Sequence, residues 1–208
     1  MCERVPDRVL KQIENQKDMQ PSKNSTQLEK LKAELQLFLS APCYNEELSQ
    51  ADENVKKFVK AMKNFVKVHT EAFITLCEAE NFVAAHHFVR LLTDCLETTF
   101  AATILEGQQF TKYIKKFLDG KEPKDTRYKG KRLNTTYLRE LMKRSGIDME
   151  VWRNLGNEST HPKAFYQLKN TDFTQQEIDD FSGFMRYPLS AIAAQIYKLI
   201  QLSPFTFQ

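Results

Sequence analysis

The chain has 208 residues, of which 41% are hydrophobic and 27% charged, and its formal net charge is +3. This length is enough to bury a sizeable core in one domain, and the composition is ordinary for a soluble globular protein. The small net charge gives no indication of a nucleic-acid partner by itself. Only 6 glycines and 7 prolines accompany long amphipathic stretches, which predicts an all-α bundle of about five to seven helices.

The four cysteines, Cys2, Cys43, Cys77 and Cys95, show no close pairing and no Cys-x-x-Cys spacing. This pattern argues against zinc ligation and against a disulfide framework. The first residues lack an apolar signal core, and charges interrupt every long apolar run. We therefore expect a cytoplasmic protein that does not enter a membrane.

Residues 1–24 are polar and are predicted to form an N-terminal arm, whereas residues 25–208 are predicted to form the helical domain. Thr26 and Glu29 have the spacing of a capping box, so the first helix is expected to begin there. Pro42 is expected to end it.

A long helix is predicted from about Glu46 to Glu80, because apolar residues recur there at steps of three and four. His69 falls on the apolar face of this helix. We expect it at the edge of the core, with a backbone or carboxylate partner.

Residues 82–105 are apolar on nearly all sides, which is typical of a helix in the middle of a bundle. Arg90, Asp94 and Glu97 form one charged stripe along it, with His86 one turn earlier. Two interpretations stay open, since buried charges persist when they are paired. Arg90 and Asp94 form either an internal brace or a polar seam that faces a site.

A shorter helix over residues 108–118 is followed by a predicted loop at 119–132, which has no apolar period. Residues 112–144 contain twelve basic and four acidic residues, a local net charge of +8. Such asymmetry is typical of a surface that binds a polyanion, although a solvated lysine-rich loop has the same composition. The candidate RNA-binding residues are Lys121, Lys124, Arg127, Lys129, Lys131 and Arg132.

Two further helices complete the predicted bundle. Asn134 is expected to cap a helix over residues 137–143. Thr174 and Glu177 have capping-box spacing and open the last long helix. Pro188 is expected to kink that helix or to split it in two.

Residues 148–163 are the most chemically distinctive stretch. Asp148 is expected to cap a short helix whose apolar side is formed by Val151, Trp152 and Leu155. Poor helix formers at residues 156–160 predict that the helix ends there, before His161.

The common signatures of metal, cofactor and serine-hydrolase enzymes are missing from the sequence. What remains is Arg153, Asn154 and His161 near one helix end. Histidine can exchange protons near neutral pH, and arginine can bind a phosphate through two parallel hydrogen bonds. Asparagine can orient either the substrate or the histidine. Two copies across a dimer would be sufficient for RNA cleavage.

Arg153-Asn154, followed by a histidine near a helix end, resembles the signature of the HEPN superfamily. The run from Trp152-x-x-Leu155-Gly156 to His161-Pro162 is similar to that of an uncharacterised HEPN-like family, in which an earlier helix carries an element like Arg90-Leu-Leu-Thr-Asp94. The resemblance spans roughly residues 82–163.

This resemblance implies a helical bundle that acts as a metal-independent endoribonuclease without a cofactor, as a homodimer. It also implies a toxin-like effector of a bacterial defence or stress system, with an antitoxin or a defence-system protein as partner. Seven residues separate Arg153 from His161, and a continuous helix would place them about 12 Å apart along its axis. The helix must therefore break near Gly156 if both side chains are to share a phosphate.

A non-catalytic function is the alternative. The same bundle could be an interaction module or hold a small ligand, with Arg90, Asp94 and His161 in structural roles. Exposure of Arg153 and His161 at a two-fold interface would favour the ribonuclease. Burial of these groups against Arg90 and Asp94 would favour the interaction module.

Overall fold

The structure, a computed structural model, describes residues 26–41, 51–121, 126–152, 154 and 175–202. Within these ranges it contains one two-stranded sheet and six long helices, so the prediction of an all-α bundle is confirmed. In the same ranges no helix is long and apolar enough to cross a membrane. The elements are α1 Gln27–Ser40, α2 Glu53–Glu78, α3 Phe82–Ile104, α4 Gly107–Leu118, β1 Arg127–Tyr128, β2 Lys131–Arg132, α5 Thr135–Arg144 and α6 Gln175–Leu202.

Helix α3 is the centre of the bundle, as its apolar sequence predicts. It packs against α2 and α6 along its length and also contacts α4 and α5. Its buried side chains include Val89, Leu92, Leu96 and Phe100. The remaining helices are amphipathic and bury one face each in a shared core, which α1 joins by packing against α6 and α2.

Three buried threonines of α3 satisfy their hydroxyl groups within the helix. The hydroxyls of Thr93 and Thr99 donate to the carbonyls four residues earlier, at 2.9 and 2.7 Å. The Thr103 hydroxyl donates to the carbonyl of Phe100 at 2.8 Å. These local bonds remove the cost of burying an unpaired hydroxyl, so α3 can carry polar residues inside the core.

Several predicted helix starts are confirmed by their capping bonds. The capping box forms because the Thr26 hydroxyl accepts from Glu29 N and the Glu29 carboxylate accepts from Thr26 N. The Asn134 side chain accepts from Tyr137 N at 2.9 Å. Helix α2 begins at Glu53 rather than near Glu46, because Asp52 accepts from Asn54 N and caps it. The predicted cap at Thr174 lies outside the described residues.

The expected partner of His69 is absent from the part of the chain that the structure describes. The imidazole lies between the rings of Phe65 and Phe88, with centroid distances of 4.1 and 5.7 Å. Its Nδ1 atom is buried without a hydrogen bond to any described residue. Burial lowers the pKa of His69, so the neutral imidazole is favoured there.

Helix α6 is continuous through Pro188, so of the two predicted outcomes, a kink or a split, the split does not occur. Because proline has no N–H, the carbonyl of Phe184, four residues earlier, loses its helical donor. The Trp152 indole N–H donates to that carbonyl at 2.8 Å. The Trp152 ring also stacks on Tyr187, with centroids 4.6 Å apart. The stretch from Asp148 to Trp152 is thereby attached to α6.

This arrangement predicts energetic coupling between Trp152 and Pro188. Trp152→Phe keeps an aromatic ring on Tyr187 but removes the indole donor, and should lower the free energy of unfolding by about 1 kcal/mol. In a Pro188→Ala background the alanine backbone N–H can donate to the Phe184 carbonyl. Trp152→Phe should then lower the free energy of unfolding by roughly half as much. Urea denaturation of the four proteins in the double-mutant cycle measures this coupling. Equal losses in both backgrounds would contradict it.

Candidate nucleic-acid interface

The segment predicted as a loop at 119–132 contains a β-hairpin. Arg127 pairs with Arg132 and Tyr128 with Lys131. Lys129 and Gly130 both have positive φ angles, 48° and 78°, as a two-residue type I′ turn requires. The strands have two residues each and no apolar alternation, which is why the sequence pattern did not reveal them.

The hairpin places basic side chains directly opposite one another. Arg127 and Arg132 are exposed cross-strand partners, and like charges in such a pair destabilise a sheet. Arg127 Nη1 donates to the Gly130 carbonyl at 3.0 Å, which uses one of its five donors. The hairpin therefore concentrates positive charge on one exposed part of the surface.

Lysines of the hairpin also lie over aromatic rings. The ammonium of Lys129 is 5.4 Å from the centroid of Tyr128, and that of Lys131 is 5.5 Å from the centroid of Tyr137. These distances fall within the range of cation–π attraction. Aromatic rings with adjacent cations are suited to contact both bases and phosphates.

An open groove of about 520 Å³ runs between the hairpin and the start of α5. We call it the hairpin groove, and its lining includes Arg127, Lys131, Arg132, Asn134, Thr136, Tyr137 and Glu140. This lining has three cations and one carboxylate. The hairpin groove is thus wide, open to solvent and positively charged.

A second depression of about 270 Å³ lies next to it on α5, and we call it the α5 pocket. Met142, Ile147 and Met149 form its apolar part. Its charged groups are Arg139, Glu140, Lys143, Asp148 and Glu150. Thr136 and Glu140 line both depressions, so the two are contiguous.

An ion pair anchors α5 to the core. Arg139 Nε lies 2.5 Å from Glu97 Oε1, and the Glu97 residue is only 8% exposed. Burial raises the pKa of Glu97, whereas the hydrogen bond and positive charge of Arg139 oppose that rise. Arg139 is not among the site residues predicted from the sequence. The available signal was that a glutamate in an apolar helix needs a cation, which the basic residues of 112–144 could supply.

The other members of the predicted stripe are closer to solvent. Arg90 Nε and Asp94 Oδ2 form an ion pair at 3.5 Å, with side chains 39% and 48% exposed. This pair is therefore partly exposed rather than an internal brace. It lies one turn before Glu97 on α3, so the stripe leads from the surface to a buried carboxylate.

The remaining candidate residues either lie away from both depressions or fall outside the described residues. Lys121 follows α4 and pairs with Asp119 at 3.8 Å, and it does not line either depression. Asn154 is exposed in the helical stretch after Asp148, whose side chain accepts from Glu150 N at 3.1 Å as the predicted cap. The candidates Lys124, Arg153 and His161 lie outside the described residues.

The described nucleophilic and metal-ligating groups are buried or dispersed. Cys77 and Cys95 are buried thiols, and burial raises the pKa of each to about 12. At neutral pH such thiols are protonated and unreactive. Among the described residues, no group of three or more His, Cys, Asp or Glu side chains is placed to hold a metal ion.

The Glu97–Arg139 pair yields a stability prediction with a pH dependence. Arg139→Ala leaves a buried carboxylate without its cation and should lower the free energy of unfolding by about 2–3 kcal/mol at neutral pH. Without Arg139 the pKa of Glu97, already raised, should rise further. The folded state then binds a proton that the unfolded state lacks, so stability is retained at low pH and lost as pH rises.

Chemical denaturation at about pH 4.5 and pH 7 should therefore show a smaller difference from wild type at the lower pH. Asp94→Ala is the matched control, because its exposed pair with Arg90 should contribute less than about 1 kcal/mol. An Arg139→Ala loss that is the same at both pH values would contradict the role assigned to Glu97.

Comparisons of the chain with protein-family models, with curated proteins and with solved structures gave no match. The interpretation of the hairpin groove and the α5 pocket therefore depends on their side-chain chemistry.

Proposed function

We propose that the protein is an RNA-directed effector that binds single-stranded RNA in the hairpin groove. The observation that carries this proposal is the pair of opposed arginines, Arg127 and Arg132, at the edge of an open basic groove. Like charges directly opposite each other destabilise a sheet, and a phosphate anion beside both guanidinium groups would offset their repulsion. RNA supplies such anions at regular intervals.

The hairpin groove also has other features by which proteins bind single-stranded RNA. Its lining has an excess of two positive charges, and Tyr137 lies in its wall under the ammonium of Lys131. Bases stack on aromatic side chains, while the backbone follows a basic path. The Asn134 cap marks the N-terminus of α5, whose helix dipole also favours negative charge.

The catalytic part of the proposal is a metal-independent endoribonuclease centred on Arg153, Asn154 and His161. In this mechanism His161 exchanges a proton with the 2′-hydroxyl or with the leaving oxygen, and Arg153 stabilises the charge on the phosphate. Asn154 orients either the substrate or His161. The products would be a 2′,3′-cyclic phosphate and a 5′-hydroxyl, because the 2′-oxygen attacks the adjacent phosphorus.

This chemistry is supported by the sequence motif and by the positions of Trp152 and Asn154, the motif residues that the structure describes. The helical stretch that leads to Asn154 is capped by Asp148 and attached to α6 through Trp152. Lys143 of α5 also pairs with Asp148 at 3.2 Å and with Glu150 at 3.7 Å. We further propose that the protein belongs to the HEPN-like superfamily, forms a homodimer and acts in bacterial defence. These three proposals rest on the sequence motif alone.

An interaction module is the second candidate function. It is favoured by the ion pairs of the charged stripe, because Arg90 with Asp94 and Arg139 with Glu97 account for these groups structurally. In this case the hairpin groove would bind an acidic partner without cleaving it.

The RNA-binding proposal predicts strong salt dependence. Replacement of Arg127, Lys131 and Arg132 by Gln should weaken binding of a 12-nucleotide RNA and reduce the slope of log affinity against log salt by roughly 2. Fluorescence anisotropy between about 50 and 200 mM salt measures both quantities. The control replaces Lys57, Lys60 and Lys67 on the exposed face of α2, which changes net charge equally. Equal effects of the two triple variants would contradict a hairpin site.

The ribonuclease proposal predicts cleavage of single-stranded RNA in the presence of EDTA. His161→Ala should abolish cleavage, and Arg153→Lys should reduce it at least tenfold, because an ammonium cannot provide the two parallel hydrogen bonds of a guanidinium. Gel electrophoresis with cyclic-phosphate end analysis measures the products. Cleavage that persists undiminished in both variants, or that requires an added metal ion, would remove the catalytic role and leave RNA binding to be judged separately.

A further inference from the structure

The α5 pocket has a different character from the hairpin groove that it adjoins. Its charged lining has two cations and three carboxylates, so a lone phosphate would meet net negative charge there. Its apolar part comes from Met142, Ile147 and Met149. A ligand that fits this lining has apolar faces and polar edges, with both donors and acceptors.

Arg139 presents donors to this pocket in a fixed orientation. Its Nε is held by Glu97, and the side chain is 30% exposed on the pocket side of α5. The Nη groups form no hydrogen bond with any described residue. A guanidinium that is anchored through Nε keeps its terminal N–H groups available for an acceptor pair.

Glu140 is the carboxylate with the most capacity to accept from a ligand. Asp148 accepts from Glu150 N and pairs with Lys143, which also pairs with Glu150. Glu140 has only a long contact of 3.8 Å with Arg144, and its side chain is 56% exposed. It also borders the hairpin groove, so it can contact a ligand that extends from one depression to the other.

We propose that the α5 pocket binds a guanine base of the RNA whose phosphates occupy the hairpin groove. This inference rests on the proposed RNA binding and adds its base preference. Guanine presents two acceptors, O6 and N7, which match a bidentate arginine, and arginine is the commonest partner of that edge. Its N1–H and N2–H₂ groups are adjacent donors that a carboxylate accepts.

The other bases match this lining less well. Adenine has a donor at N6 in place of the O6 acceptor, so it would face Arg139 with one donor against another. Uracil and cytosine lack the acceptor pair at N7 and O6 and expose less area to Ile147 and Met149. The methionine sulfur atoms also favour contact with an aromatic base. A purine with the guanine pattern is therefore preferred.

The test uses 12-nucleotide uridine RNAs that carry one central guanosine, adenosine, inosine or 7-deazaguanosine. Anisotropy at fixed salt should show that the guanosine RNA binds about tenfold tighter than the adenosine RNA. Inosine lacks the N2 amino group and 7-deazaguanosine lacks the N7 acceptor, so each should lose part of the preference. Equal affinity for all four RNAs, with normal salt dependence, would overturn the pocket proposal and leave RNA binding intact.

Two variants separate this role from a structural one. Arg139→Lys retains the charge that Glu97 needs, and it should remove the preference for guanosine over adenosine, because an ammonium does not provide the two parallel hydrogen bonds that O6 and N7 accept. Glu140→Ala should make guanosine and inosine RNAs equivalent, whereas Glu71→Ala, which removes the same charge from the exposed face of α2, should not. Retention of the full guanosine preference in both pocket variants would overturn the assignment.

A second measurement does not depend on RNA binding. Guanosine itself, at millimolar concentration, should shift the methyl NMR signal of Met149 more than adenosine does. If none of the RNAs binds, the proposed function fails, but this selective shift would still support the pocket. If both nucleosides shift the Met149 signal equally, base selection at this site is overturned.

Discussion

The ion pair between Glu97 and Arg139 connects the buried centre of the bundle with its basic surface. A carboxylate in the central helix α3 needs a cation, and Arg139 of α5 supplies it across 42 residues of sequence. This requirement fixes the face of α5 that points inwards. The residues that remain outside, including Thr136 and Glu140, then line the hairpin groove and the α5 pocket. The position of the basic surface thus follows from this buried ion pair together with the burial of Leu138 and Met142 on the same helix.

A second attachment holds the chain beyond α5. Pro188 frees the carbonyl of Phe184, and the Trp152 indole donates to it, so the stretch from Asp148 to Trp152 is held against α6. Lys143 adds two ion pairs to Asp148 and Glu150, which are exposed and contribute little by themselves. The segment between the Asn134 cap and Trp152 is therefore held at both ends, by α3 and by α6. The α5 pocket lies within that segment.

Features that depend on local periodicity could be predicted from the sequence. The capping box at Thr26, the cap at Asn134 and the central position of α3 follow from neighbouring residues and apolar repeats. Pairings between distant elements could not be predicted, because no local signal couples Glu97 to Arg139 or Trp152 to the Pro188 region. The hairpin was missed for a related reason. Its strands have two residues each, so they show no alternation of apolar and polar residues, and the turn at Lys129 and Gly130 defines them instead. The roles of Arg153 and His161 remain predictions from the motif.

The arrangement of aromatic and charged groups favours the proposed RNA over an acidic protein as the partner of the basic surface. Positive charge alone would attract either one. However, Tyr128 and Tyr137 lie beneath lysines of the hairpin, which places aromatic rings suited to base stacking beside cations. An acidic peptide would use the cations but not the rings, and its carboxylates would be repelled where the groove meets the carboxylates of the α5 pocket. RNA alternates phosphates with neutral, flat bases, so it matches a cationic groove that borders a pocket of mixed charge.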